Sequence, residues 1–230
     1  MSVKKNKFKC KFFLVHNRDL FRTFVRKKIK CYNSQMIDKK TKRIVNFFYE
    51  IGTLRKIPRS HMQTLLTGDL SDNISSHSFR VCVIGLILAS LENANQNKVL
   101  LMCLLHDLGE SRSGDQNWVH KKFVKVFENE ISQSQISSLP NSKNLLDIIA
   151  EYKSRKTLEA RITKDADRLD QMLLQKEYAW AGNKEAANWT KGGNHSKSLS
   201  TNSAKLLGIE IEQQKPSDWW THGNWADSRR

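Results

Sequence analysis

LLHDLGESRSGD, residues 104–115, decides how the rest of the chain is read. It sets His106 and Asp107 side by side at the end of an apolar run, adds Glu110 one helical turn on, and breaks into a glycine-containing turn that carries Asp115. A lone His-Asp doublet is more often a surface feature than a site. Four ionisable groups directly behind an apolar run call for another explanation. Imidazole nitrogens and carboxylate oxygens are good ligands for divalent Zn, Mn, Co or Fe. Residues four apart share a helix face, which predicts that Glu110 lies over an ion held by His106. Such an ion needs more ligands, so the stretch directs the reading to neighbouring helices.

Working toward the N-terminus, KVLLMCLLHDLGE predicts a helix closing at His106 and Asp107. Before it, SHSFRVCVIGLILASLE predicts a long buried helix, apolar round most of its circumference and opening at His77, with Ser75 and Ser76 as candidate N-caps. The short ENANQN connection favours antiparallel packing, which would carry His77 to His106 and Asp107. Toward the C-terminus, residues 157–181 predict another long helix with an apolar seam of Ile162, Ala166, Leu169 and Leu173. Asp167 and Asp170 border that seam, and either can supply a last ligand; Asp165 falls on the other flank and is expected to be solvated. Further helices are predicted from Thr41 to a stop at Gly52, over 117–131 as one surface helix, over 143–153 and over 202–213. A loop is expected around Gly192 and Gly193, and an aromatic, polar tail with Trp219, Trp220 and Trp225. No repeat, glycine-rich nucleotide fingerprint or run of alternating strands is present, so the fold class is all-α.

A chain of 230 residues with 39% hydrophobic content can bury one sizeable core. The net charge of +16 suits an anionic partner such as a phosphate ester or a nucleic acid, but it is unevenly spread. Residues 1–35 contain eleven Lys and Arg against Asp19 alone, interleaved with phenylalanines. That pattern suits a basic amphipathic helix, but a loose extension preceding an ordinary domain start at Met36 is the simpler reading, and no catalytic role is assigned to it. The expected organisation is therefore an extension over 1–35 and one domain over 36–230, with its core at 42–181. Cys10, Cys31, Cys82 and Cys103 form no CxxC pair, which fits a reduced, cytosolic setting. The longest apolar run, VCVIGLILA, is about half what a bilayer crossing needs, and no secretory signal is read at the N-terminus.

Taken together, His77, the His106–Asp107 doublet and Asp167 reproduce the H, HD, D order of the HD-domain metal-dependent phosphohydrolases. LRKIPR, NISSHSFR, LLHDLGESRSGD and KDADRLDQM further resemble the 5'-deoxynucleotidase branch of that superfamily, over roughly residues 42–181. The resemblance implies an HD-domain helical bundle holding one divalent metal ion (Mn, Co, Zn or Mg) on His77, His106, Asp107 and Asp167. It casts Glu110 and Asp115 as the catalytic acids and Arg59 as the phosphate-binding arginine. The activity it implies is hydrolysis of nucleoside 5'-monophosphates to nucleoside and phosphate, and it leaves a homodimer open. Two departures stand out. Ser76 replaces the acid common before the first His, and Arg59 is followed by Ser60, His61 and Met62 with no tryptophan close behind. That aromatic is the group that would crowd a ribose 2'-hydroxyl, so Trp118 becomes the nearest candidate to replace it, with Lys121 and Lys122, beside His120, as further phosphate contacts.

Two other readings remain at this point. A phosphodiesterase or guanosine tetraphosphate hydrolase would use the same metal chemistry, but the spacing over 54–115 follows the nucleotidases, and no additional His or HD pair offers a second ion. A nucleic-acid-binding protein would act through the basic arm and use the helical core as a scaffold.

Overall fold

Asn73, Asn95, Asn117 and Thr157 each precede a helix, and each side chain accepts a hydrogen bond from the backbone N–H three residues on. Side-chain oxygens of this kind satisfy N–H groups that a helix cannot pair internally, and so fix where it begins. The computed structural model describes residues 22, 23, 25, 26, 39–191 and 195–221. The chain forms two compact units, Met1–Arg43 and Ile44–Arg230. Of the extension expected over 1–35, only 22, 23, 25 and 26 fall among the described residues, and they are helical.

The helices are α1 (Lys39–Ile51), α2 (Met62–Leu65), α3 (Ile74–Leu91), α4 (Gln96–Leu105), α5 (Glu110–Ser113), α6 (Trp118–Phe123), α7 (Glu128–Ile136), α8 (Ser142–Ser154), α9 (Leu158–Trp180), α10 (Lys184–Lys191), α11 (Asn202–Gln213) and α12 (Asp218–Thr221). Short 3₁₀ turns occupy Gly52–Lys56 and Ser196–Ser198. Among the described residues there is no strand, only one isolated antiparallel bridge between Pro58 and Asn73.

The 23-residue α9 is the axis of the second unit, and α3, α4, α8, α10 and α11 all pack on it. Val81, Leu88, Val99, Cys103, Ile162, Ala166 and Leu169 form the main core with Leu199 and Ala204. α3 and α4 approach so closely that a Cβ on Gly85 would lie 2.5 Å from Cys103 Sγ. A second cluster joins Ile44, Phe47 and Ile51 to Leu54, Ile74, Leu108, Ile136 and Ile149.

Several expectations need correction. The cap of α3 is Asn73, not Ser75 or Ser76, because Asn73 has the extended backbone that aims its carbonyl back at Ser76 N. The expected surface helix over 117–131 is two helices, broken where Val124 becomes extended. α10 was not anticipated, and it fills most of the polar stretch after Gly182. The α9 seam closes with Met172, which is buried, while Leu173 is half-buried. Asp165 is wholly buried instead of solvated: it accepts hydrogen bonds from Ser200 N (2.9 Å), Thr201 N (2.8 Å) and Thr201 Oγ1 (2.9 Å), and so caps α11. α3, at 18 residues, is long and apolar enough by composition to cross a bilayer, although its uninterrupted apolar run is short. The expected loop at Gly192 and Gly193, and Trp225, lie outside the described residues.

Candidate metal centre

His77 comes from the first turn of α3, His106 follows the last residue of α4, Asp107 lies in the turn after it, and Asp167 comes from the middle of α9. Antiparallel packing of α3 on α4 brings them together. His77 Nε2 lies 3.2 Å from His106 Nε2, 3.4 Å from Asp107 Oδ2 and 3.4 Å from Asp167 Oδ1, and His106 Nε2 lies 3.1 Å from Asp107 Oδ2. Ligands about 2.0–2.2 Å from one ion stand about 3.0–3.6 Å apart in octahedral or tetrahedral sites. The observed edges match that spacing. His77 Nε2, His106 Nε2 and an Asp107 oxygen lie close enough together to share one ion, and Asp167 Oδ1 stands beside His77 Nε2; imidazole and carboxylate donors suit a divalent transition metal, so these residues fit the ion that the sequence implies.

The atoms behind the ligands are arranged to the same end. His77 Nδ1 is bonded to Asp170 Oδ2 at 2.6 Å, and Asp170 Oδ1 accepts from Arg80 Nε at 2.5 Å, which in turn meets Glu177. His106 Nδ1 donates to the Cys103 carbonyl at 2.7 Å, and Tyr152 stands edge-on to its ring at 6.0 Å. Each imidazole therefore has its Nδ1 occupied and turns Nε2 inward. Between the two acids that the sequence left as alternatives, Asp167 faces the cluster and Asp170 sits behind His77. Asp167 Oδ2 is bonded to Lys164 Nζ at 2.6 Å.

Burial pulls the His77 pKa down, but hydrogen bonds to Asp107, Asp167 and Asp170 more than reverse it and raise it to about 10. Burial pushes Asp107 up, and the two histidines outweigh it and hold its carboxyl well below the usual range. Glu110 goes the other way: burial, with Asp107 and Asp115 beside it, raises its pKa to about 9, and its buried Oε2 has no hydrogen-bond partner.

Arg59 is buried, with Nη1 3.6 Å from Asp107 Oδ2 and Nε 3.8 Å from Asp115 Oδ2. Nε makes no hydrogen bond, so a donor is held beside the cluster with its capacity unspent. Its loop is tied down on both sides. Arg59 N donates to Asp72 O (3.1 Å), Ser60 N to Asp115 Oδ2 (2.7 Å), and His61 Nε2 pairs with Asp72 Oδ2 at 2.9 Å. Spacing along the chain assigns His61 no role, because its partner lies eleven residues on across a loop. Asn117 Nδ2 donates to Gln63 Oε1 at 3.0 Å, stitching the start of α6 to α2, which follows that loop. Trp118 is 91% exposed there, and Lys121 and Lys122 are also exposed. Glu110 reaches the site by a route other than the one expected. The helix ends at Leu105, and a turn, followed by α5, presents Glu110, so no continuous helix face joins it to His106.

Fold and donor set together define an all-α protein built around a divalent-metal centre. An HD-domain family model matches residues 51–206, and the chain belongs to the HD-domain family. It is 30% identical over 147 residues to the 5'-deoxynucleotidase HDDC2 of Dictyostelium discoideum, a match covering 58% of this chain and 76% of the relative. The 5'-deoxynucleotidase YfbR of Shigella boydii is 28% identical over 156 residues, covering 61% and 76%. The fold is shared with the PH0347 protein of Pyrococcus horikoshii OT3 (TM-score 0.62, 23% identity, 74% of this chain and 98% of that one). It is also shared with a predicted metal-dependent phosphohydrolase of Magnetospirillum magnetotacticum MS-1 (TM-score 0.55, 23% identity, 76% and 95%).

Proposed function

We propose that this chain is a metal-dependent phosphohydrolase acting on nucleoside 5'-monophosphates, of the kind its 5'-deoxynucleotidase relatives represent. The observation that carries the reading is the convergence of His77 Nε2, His106 Nε2 and Asp107 within ligand-edge distances, with Asp167 against His77, next to an arginine whose buried Nε is unpaired. His77, His106, Asp107 and Asp167 would hold the ion. When bound, it polarises a phosphoryl oxygen and makes water acidic enough to ionise near neutrality.

The chain's own groups do the rest. The Arg59 guanidinium receives the phosphate dianion through its free donors, and Asp115, bonded to Ser60 N, keeps that arginine's loop in place. Glu110, protonated at neutral pH, holds a proton for the departing nucleoside oxygen. Asp170 and the Cys103 carbonyl fix the two imidazoles. Trp118, exposed beside the Asn117 that bonds Gln63, is taken to meet the sugar, and the exposed Lys121 and Lys122 the phosphate. The catalytic unit is residues 36–230, and residues 1–35 are an appendage. A cytoplasmic setting is supported by Cys82 and Cys103 being free thiols, the latter pushed up to about 12 by burial.

The test is phosphate release from paired ribo- and deoxyribonucleoside monophosphates with added Mn, Co, Zn or Mg. With no aromatic directly behind Arg59, the two sugars should differ by less than about tenfold in kcat/KM, roughly 1.4 kcal/mol of discrimination. If Trp118 supplies the clash instead, deoxyribose is preferred and Trp118→Ala removes the preference. No hydrolysis of any monophosphate under any metal would overturn the proposal.

A further inference from the structure

Residues 118–127, WVHKKFVKVF, run from α6 into the link before α7, and none of their apolar side chains is buried. Trp118 is 91% exposed, Phe123 77% and Val119 65%, and Phe127 and Val124 are more than half exposed. Val119 and Phe123 stand four apart on α6 and so share one face of it. Lys121, Lys122 and Lys125 are exposed among them, and no acidic residue occurs from Gln116 to Phe127. Acids resume with Glu128, which pairs with Lys153 Nζ at 3.2 Å, and Glu130. Polar ties hold the strip at both ends: Asn117 Nδ2 is bonded to Gln63 Oε1 before it, and Glu128 and Asn129 meet Lys153 after it. Single exposed apolar residues are ordinary on a protein surface, but a run of large ones between two fixed ends marks a place of contact.

We propose that this strip is a peripheral docking site for an anionic phospholipid surface, with Val119, Phe123, Val124 and Phe127 entering the boundary between headgroups and acyl chains while the lysines meet the lipid phosphates. The proposal goes beyond the phosphohydrolase reading and does not rest on it. Trp118 is already taken to meet the nucleotide sugar, so the four apolar residues beyond it carry the contact. Charge complementarity selects the lipid, because a strip whose only charges are cations suits an anionic surface, where each lysine strengthens binding about fivefold. Stable attachment takes an apolar anchor as well as basic residues, and the strip has both. Lys122 Nζ lies 5.6 Å from the Phe123 ring centroid and Lys125 Nζ 5.3 Å from that of Phe127, so each cation stands beside a ring that would enter the apolar layer. Single-stranded nucleic acid fits less well. The valines offer a base no ring to stack on, and each phenylalanine already has an ammonium group over it. Nor does the strip carry the mixed charges by which one protein selects another.

Hydrogen exchange of the full chain on phosphatidylcholine vesicles containing about 30% phosphatidylserine reads the contact locally, apart from the basic residues 1–35. Backbone amides of 118–127 should exchange more slowly on the vesicles than in solution. Unchanged exchange there while the chain is bound would place membrane contact in another segment and overturn the proposal, as would no binding at all. Phe123→Ser together with Phe127→Ser should weaken vesicle binding at least about tenfold, and Lys125→Gln about fivefold, while phosphate release from a soluble monophosphate stays at the wild-type rate. Variants that keep their helical circular dichroism and bind vesicles as tightly as the wild type would count against the strip, and if a variant does not fold, the exchange pattern of the wild type decides. Protection of 118–127 by a single-stranded oligonucleotide and not by vesicles would reassign the strip to nucleic acid.

Discussion

Asp167 and Asp170 sit three residues apart on one helix and are chemically identical, yet their surroundings give them different work. Asp167 turns an oxygen to His77 Nε2, whereas Asp170 takes the Nδ1 behind it and is itself held by Arg80. We predict that Asp167→Ala loses both metal, read by elemental analysis, and phosphate release. Asp170→Asn should keep the ion at a 10- to 100-fold lower affinity, the usual effect of removing a group that orients a ligand, with turnover returning as metal is added. Full metal content in the Asp167→Ala protein would exchange the two roles. The same cluster sets a pH dependence. The His77 pKa is raised to about 10 in the metal-free chain, so its proton is held throughout the neutral range. A histidine whose folded pKa is raised contributes stability that is complete below its unfolded value and is lost as pH rises through the folded one. Metal must displace that proton, so apparent affinity should rise by up to about tenfold per pH unit between neutrality and pH ~9, while the metal-free protein loses thermal stability on the way to pH ~10. Chelator-competition titrations across that range test the sign, and an affinity independent of pH would show that His77 is neutral before the ion arrives.

The element joints carry information that a pattern of apolar residues does not. Thr201, at the start of α11, makes no capping bond with its own side chain, and Asp165 of α9 reaches across to bond Ser200 N, Thr201 N and Thr201 Oγ1. Replacing Asp165 by Ala should cost about 2–3 kcal/mol, since it removes a cap and strands buried donors. Urea unfolding would read this as a lower midpoint with an unchanged slope, and a shift below about 0.5 kcal/mol would mean that α11 can cap itself. That contact also marks a limit of what the sequence made legible. Periodicity located α3, α4, α8, α9 and α11 to within a few residues, because burial of an apolar face leaves a trace every three or four positions. It misplaced Asp165, whose partners lie 35 and 36 residues away, and it joined α6 to α7, where the break is one extended residue, Val124. The four candidate ligands stand out in the sequence for a related reason: each sits at or beside the end of a core helix or on its seam. Arg80, His61, Asp72 and the Cys103 carbonyl were not, because an orienting role depends on what lies behind a ligand, and spacing along a chain does not encode that.

For the molecule as a whole, charge and chemistry are segregated. Of the net charge of +16, residues 1–35 carry +10, while every group placed at the site, from Arg59 to Asp170, lies in the unit Ile44–Arg230. A basic tract attracts anions over about a Debye length, roughly 8–10 Å at ordinary ionic strength, so salt weakens whatever it binds. The pocket's arginine is buried and meets phosphate at contact distance, where screening is weak. The two parts should therefore separate cleanly. We predict that the chain beginning at Met36 keeps its metal stoichiometry and its kcat within about twofold, and loses only a salt-sensitive affinity for polyanions. For that affinity, the logarithm of the binding constant should fall linearly with the logarithm of salt concentration, with a slope set by the phosphates neutralised. Parallel measurements of phosphate release and single-stranded DNA binding on both chains, across a salt series, read the two behaviours independently. If the shortened chain folds and binds its ion yet releases phosphate more than about tenfold more slowly, the arm belongs to the active site and the segregation is only one of sequence. If phosphate release instead follows DNA binding in its salt dependence on the full chain, the basic tract delivers the substrate, and kcat/KM should fall with salt while kcat does not.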